Sequence, residues 1–407
     1  MHKLKRLLRV SMACTALLTY ALITVGLARA QTETVLYSFS GPDGAYAFSG
    51  VLLNNGSWYG TTYHGGLPGC DDVFGTGCGI VYKLTRKGKE TVVYRFTGGV
   101  DGSGPIGELI RDSAGNVYGT TSGGLGSAYG YGTVFKIDRL GNQTTLYGFK
   151  GGADGKLPIG SLVRDKDGNL YGETERGGTF NSGTVFELTA SGSEIVLYTF
   201  TGGADGGSPY GGLVRDSKGN LYGTTGGGGN GYGTVFKVTP SGSEKVLYSF
   251  LGGTDGKFSK WGLVRDSKGN LYGTTQVGGA FDNGVVFKVT PTGSETVLYS
   301  FASTPEGFRG PNARLILGKD GNLYGTSPSG GSCQTLGDCG VVFQVTMDGI
   351  ERVLYSFADS PDGSGPSSRL FRDAKGTIYG TTTSGGNHLC GNPNGHSGCG
   401  VVFKLVP

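Results

Sequence analysis

The chain has 407 residues, with 35 Lys and Arg against 31 Asp and Glu and a formal net charge of +4. The first thirty residues hold five of the basic groups and none of the acidic ones, which leaves 30 against 31 for the remainder. A balance that close to neutral implies no polyanion partner, and in particular no nucleic acid.

Residues 1–30 read as a secretory signal peptide: Lys3, Lys5, Arg6 and Arg9, an apolar run from Met12 to Leu27, then Ala28-Arg29-Ala30 before Gln31. The expected cleavage lies near Ala30, and the mature chain is expected to be secreted, extracellular or periplasmic. No later run approaches the roughly 18 to 20 apolar residues that a membrane span needs. Cys14 lies in the signal, and the other six cysteines fall in close pairs: Cys70 and Cys78, Cys333 and Cys339, Cys390 and Cys399. In an oxidising compartment such pairs read as disulfides.

After the signal, one phrase recurs. "GLVRDSKGNLYGTT" stands at 212–225 and again at 262–275, and its tyrosine marks seven units at Tyr59, Tyr118, Tyr171, Tyr222, Tyr272, Tyr324 and Tyr379. A period of about fifty to sixty residues is that of propeller blades. In the fourth unit, "GLVRD" (212–216), "NLYGTT" (220–225), "GTVFKVT" (233–239) and "EKVLYSF" (244–250) are four β-rich runs, here termed strands A to D. Gly219 and Gly242 supply the positive φ of tight A-to-B and C-to-D hairpins.

These runs are apolar on both faces, so each sheet needs a neighbour on either side, and a closed ring provides them. The predicted fold is an all-β seven-bladed β-propeller with four antiparallel strands per blade, one domain over 31–407. The last blade, 367–407, lacks a D strand, while "TVLYSF" at 34–39 is a D strand without a blade. The N-terminal strand is therefore expected to close the ring beside 400–406, which removes two open edges.

The pattern of Gly-Leu, Arg-Asp, a Gly-Asn turn, "LYGTT", a glycine cluster and "GTVFK" resembles the GloVer tandem repeats, named for Gloeobacter and Verrucomicrobia. The resemblance covers nearly all of 31–407. It implies an exported, repeat-built protein, in a family often bearing a C-terminal surface anchor, and brings no established activity. The sequence ends at Pro407 without such a segment, which makes release the plainer expectation.

The A-to-B and C-to-D turns should form one short rim; the B-to-C and D-to-A loops, which vary in length, should form the other, where recognition usually sits. All six cysteines fall in B-to-C loops of the first, sixth and seventh units, consecutive around a closed ring. His388 and His396 beside Cys390 and Cys399 match a zinc ligand set. The sixth unit keeps its cysteine pair without a histidine, however, so disulfides are preferred and no metal is expected.

Each D-to-A loop carries one acid before a glycine: Asp43, Asp101, Asp154, Asp205, Asp255, Glu306 and Asp362. These carboxylates, with Tyr210, Tyr232 and Trp261, are the ligand-binding candidates, since carboxylates and aromatic rings suit polar sugars or a protein interface. Their recurrence also fits plain Asp-Gly turns, and no unit has EF-hand spacing. "GGGGNG" at 226–231 leads into a strand with no Walker lysine, so no nucleotide cofactor is expected.

His64, His388 and Asp71 are the groups from which acid-base chemistry could be assembled. The favoured reading is an exported, monomeric, non-catalytic binding module for carbohydrate or an extracellular protein. An extracellular propeller enzyme of polysaccharide lyase or hydrolase type, and a structural cell-surface component, are the alternatives. Near-identical inner units argue against a single catalytic centre.

Overall fold

The computed structural model describes residues 31–66, 77–123, 130–302, 310–331, 339–387, 390 and 398–407. The expected signal peptide lies outside them. No helix occurs among the described residues, and none is long and apolar enough to cross a membrane.

Seven antiparallel sheets each order their strands A-B-C-D. Blade 4 is representative: Val214–Arg215, Leu221–Gly227, Thr234–Val238 and Glu244–Ser249. Blades 2 and 4 add a short strand, Ser103–Pro105 and Gly207–Pro209, which pairs with the far end of strand B. Strand A is shorter than the sequence pattern suggests because its first residues crowd the ring axis. A Cβ on Gly211 would lie 1.9 Å from the Gly262 nitrogen, and one on Gly212 2.6 Å from the Ser161 nitrogen. Backbone packed against the neighbouring blades at that range cannot also pair within its own sheet.

Blade 7 comprises Phe371–Arg372, Ile378–Thr381, Val401–Val406 and, as its outermost strand, Thr32–Ser38 from the other end of the chain. Thr32 pairs with Val406 and Ser38 with Val401. The expected closure is thus present, with the ladder starting two residues earlier than the apolar pattern indicates.

The core is distributed as seven clusters, one between each pair of adjacent blades. The last unites Val402 and Tyr379 of blade 7 with Trp58 and Tyr82 of blade 1. In every cluster the phenylalanine that ends strand D meets an aromatic of strand C in the next blade, edge to face. Phe200 and Phe236 are 5.0 Å apart, Phe301 and Phe343 5.2 Å, and Phe357 and Phe403 5.1 Å. Burying each ring contributes about 1.5 to 3 kcal/mol, so the seven interfaces hold the ring together.

The repeated phrase is a set of instructions for this contact. Gly223 has no Cβ because one would sit 2.5 Å from the Phe236 ring, and Gly119, Gly172, Gly273, Gly325 and Gly380 face the same ring in their own blades. The Asp216 Oδ1 accepts the Asn220 N–H at 2.9 Å, and its Oδ2 accepts the Asn220 side-chain amide at 2.8 Å and the Tyr222 hydroxyl at 3.0 Å, which fixes the A-to-B turn. Gly219 completes that turn at φ +87°. Arg215 lies 5.3 Å over the ring of Tyr171 in the preceding blade, tying blade to blade.

Candidate functional site

One position in the repeat escapes this uniformity. The three residues before the core leucine or valine of strand A read Phe48-Ser49-Gly50, Ile106-Gly107-Glu108, Ile159-Gly160-Ser161, Tyr210-Gly211-Gly212, Lys260-Trp261-Gly262, Asn312-Ala313-Arg314 and Ser367-Ser368-Arg369 from blade 1 to blade 7. These triplets converge on the ring axis. On the side of the B-to-C and D-to-A loops they line a cavity of about 430 Å³, with walls from Phe48, Tyr63, Tyr210 and Trp261 and charges from Glu108, Glu175, Arg314 and Arg369. A second cavity of about 410 Å³ opens on the turn side and shares Glu108 and Arg369. The 3.2 Å ion pair between those two residues stands at the join.

The charges are sorted around the axis. Glu108 and the buried Glu173 belong to blades 2 and 3, Arg314 and Arg369 to blades 6 and 7, and the aromatic pair Tyr210 and Trp261, 5.4 Å apart edge to face, to blades 4 and 5. Arg314 lies deep along the axis while keeping some exposure to the cavity. Its Nε donates to the Leu263 carbonyl at 2.8 Å and a terminal nitrogen donates to that of Leu213 at 3.4 Å. Burial pulls its guanidinium down to about 10, against the opposing pull of Glu108, so it stays a cation at neutral pH. No carboxylate stands within ion-pair distance of it among the described residues.

Glu173 takes the place that threonine holds in the "LYGTT" of the other complete copies. Burial pushes its carboxyl up to about 7, although the Gly212 N–H donates to Oε1 at 2.6 Å and Arg314 favours the anion. Its Oε2 is buried without a partner, as is the indole Nε1 of Trp261. The left-handed backbone of Leu157, φ 59° at the cavity wall, recurs at the equivalent position of other blades, at Tyr46, Gly104, Ser208, Phe258 and Gly365, and so belongs to the D-to-A scaffold.

The residues nominated from sequence distribute unevenly. Tyr210 and Trp261 line the axial cavity. Tyr232 stands on the rim beside Phe258, ring centroids 6.3 Å apart. The aspartates close their own loops: the Asp205 carboxylate accepts the Tyr198 hydroxyl at 2.9 Å and the Thr201 N–H at 2.8 Å. Asp43, Asp101, Asp154, Asp255 and Asp362 repeat the tyrosine contact and accept a backbone N–H. That internal bonding explains why each D strand ends in Tyr-x-Phe or a close variant; Glu306 lies outside the described residues.

His64 is buried against the rings of Tyr46 and Tyr63, while His388 lies outside the described residues. Cys390 and Cys399 are joined in a disulfide. Cys78 and Cys339 are also disulfide-bonded, and Cys70 and Cys333 lie outside the described residues.

Glu108, Glu173, Arg314 and Arg369 were the residues that loop-length reasoning does not reach. The signal for them is positional: Glu108, Arg314 and Arg369 each replace a small residue at the third position of the triplet before the core residue, and Glu173 replaces the first threonine of "LYGTT".

A seven-bladed propeller with an axial cavity on its variable rim is the class of protein that fold and site define. The model of the Gloeobacter/Verrucomicrobia repeat matches residues 73–264 and 226–407, and the chain belongs to that family. No curated protein matches it. Among solved structures it is similar to the extracellular domain of a putative one-component system from B. thetaiotaomicron, at TM-score 0.58 and 9% identity over 93% of this chain. The chain spans 40% of that protein. A putative gluconolactonase matches at TM-score 0.44 and 10% identity over 93% of this chain and 92% of its own. A protein of unknown function from Dyadobacter fermentans matches at TM-score 0.46 and 10% identity over 93% and 99%. At such identities the likeness concerns the fold alone.

Proposed function

We propose that the chain is an exported binding module that holds a carbohydrate ligand in the axial cavity, entered from the rim of B-to-C and D-to-A loops. The observation that carries this reading is the cavity itself: aromatic walls and fixed charges, supplied largely by the triplets before strand A where the units differ from one another. A volume of about 430 Å³ suits one or two sugar rings, and a mostly apolar lining with a few convergent polar groups is what small-ligand sites share. Export is supported by the Cys390–Cys399 disulfide and by the signal-like residues 1–30.

Binding is favoured over catalysis because His64 is packed under two tyrosines and is not among the residues lining the cavity. The Glu173 carboxyl, which burial pushes up to about 7, is likewise not among the residues lining the cavity, so it offers no general acid within reach of a ligand there.

The test incubates purified protein with a panel of bacterial and plant polysaccharides, scoring depletion of protein onto each polymer and release of oligosaccharides together. Retention without products, lost on Trp261→Ala and Tyr210→Ala, is expected. Released oligosaccharides would establish a carbohydrate-cleaving enzyme instead, and neither signal on any polymer would end the carbohydrate reading.

A further inference from the structure

We propose that the axial cavity selects a carboxylate-bearing sugar, with the acid group on Arg314 and the sugar ring against the Tyr210 and Trp261 pair. This rests on the carbohydrate reading above and goes beyond it in naming the ligand's charge and the atoms that read it.

The cavity's other charges are already answered. Arg369 is paired with Glu108 at 3.2 Å, and Glu175 faces Arg176 at 3.8 Å. Arg314 differs: its hydrogen bonds go to two neutral main-chain carbonyls, those of Leu263 and Leu213. They hold the guanidinium in place without neutralising it. A cation kept in a poorly hydrated site, with Glu108 and Glu173 near enough to favour it but neither in an ion pair with it, is costly, and a ligand anion in direct contact relieves that cost while finding the donor already oriented.

A second donor in the same cavity points the same way. The Trp261 indole N–H is closed off from water and has no acceptor, and Trp261 adjoins Gly262 and Leu263, the residue whose carbonyl anchors Arg314. A modest turn of the indole would present this N–H to a ligand oxygen, and an unanswered buried donor favours such a turn. A fixed cation and an unanswered donor beside two aromatic rings suit an acidic sugar better than a neutral or basic one.

The nearby acids do not defeat the site. Glu108 is committed to Arg369, and Glu173, buried in the next layer, receives the Gly212 N–H.

The experiment compares wild type with Arg314→Gln and Trp261→Phe by calorimetric titration. The probes are galacturonate oligomers, the same oligomers with their carboxyl groups reduced to alcohols, and inorganic phosphate. Wild type should bind the uronate form at least about tenfold more tightly than the reduced form. Arg314→Gln should erase that difference. Trp261→Phe keeps a ring with almost the same packing, so it remains informative if the arginine variant folds poorly, and it should weaken the uronate about threefold or more.

Equal affinity for the two oligomers in wild type overturns the carboxylate proposal while the carbohydrate reading stands. No binding of either oligomer, while another polysaccharide is retained, overturns the proposal alone. Phosphate binding at Arg314 with no uronate binding overturns it in favour of a plain anion site. Failure of every polysaccharide removes both.

Discussion

Phe39, from the N-terminal strand, packs its ring edge to face with Tyr82 of blade 1 at 5.1 Å, the same geometry that joins Phe200 to Phe236 in the middle of the chain. The interface closed by the two chain ends is therefore built like the six formed by continuous chain. Phe39→Ala should destabilise the protein by about 3 to 5 kcal/mol, as Phe200→Ala should, since both rings are fully buried. Urea denaturation of the two variants checks this. A Phe39→Ala loss well under 1 kcal/mol would mean the ring does not depend on its closure.

Glycines in the repeated phrase do two different jobs, and alanine separates them. Gly223→Ala forces a methyl against Phe236 and should cost about 1 to 3 kcal/mol through overpacking. Gly219→Ala meets a side chain rather than a core ring but must hold φ +87°, which costs about 1 to 2 kcal/mol. A second change, Phe236→Leu, should partly rescue the first variant and leave the second unaffected, as thermal melts would show.

The loop aspartates stabilise their own turns. Asp205→Ala removes acceptors from the Tyr198 hydroxyl and the Thr201 N–H and should cost about 1 to 3 kcal/mol, with no change in polysaccharide retention. Retention lost with stability intact would instead make the carboxylate a ligand group.

Stability should fall as pH rises from about 5 to 8. Burial pushes Glu173 up to about 7 from an ordinary value of 4.5, so between those values the native state holds a proton that the unfolded chain has released. The resulting slope is negative, and the stabilisation present below 4.5 is lost as pH climbs through about 7, on the order of 3 kcal/mol for Glu173. Glu33, Glu90, Glu194, Glu244, Glu295 and Glu351, at the starts of D strands, are pushed the same way to about 7 by burial. Glu173→Thr, which restores the repeat's own residue, should raise stability at pH 8 more than at pH 5. Denaturation midpoints at the two pH values decide it.

Much of the ring is legible in the sequence. A period of about fifty residues, two-sided apolar strands, Gly-Asn turns and a stray D strand together leave few alternatives to a closed propeller. The cavity was less legible because its residues are spread along the whole chain: Glu108 of blade 2 and Arg369 of blade 7 meet only once the ring closes. Loop length drew attention outward to the rim, whereas Trp261 and Arg314 are marked by residue type, each in the triplet before the core residue of its strand A. Comparing the units letter by letter, rather than by loop, would have singled out Glu173 and Arg314.

The most direct measurement is hydrogen exchange, read by mass spectrometry, with and without the polysaccharide that retains the protein best. Ligand in the axial cavity predicts slowed exchange at 48–50, 106–109, 210–213, 261–263, 313–315 and 367–370, segments far apart in sequence that share the axis. Protection confined to the outer B-to-C loops, with these segments unchanged, would contradict an axial site.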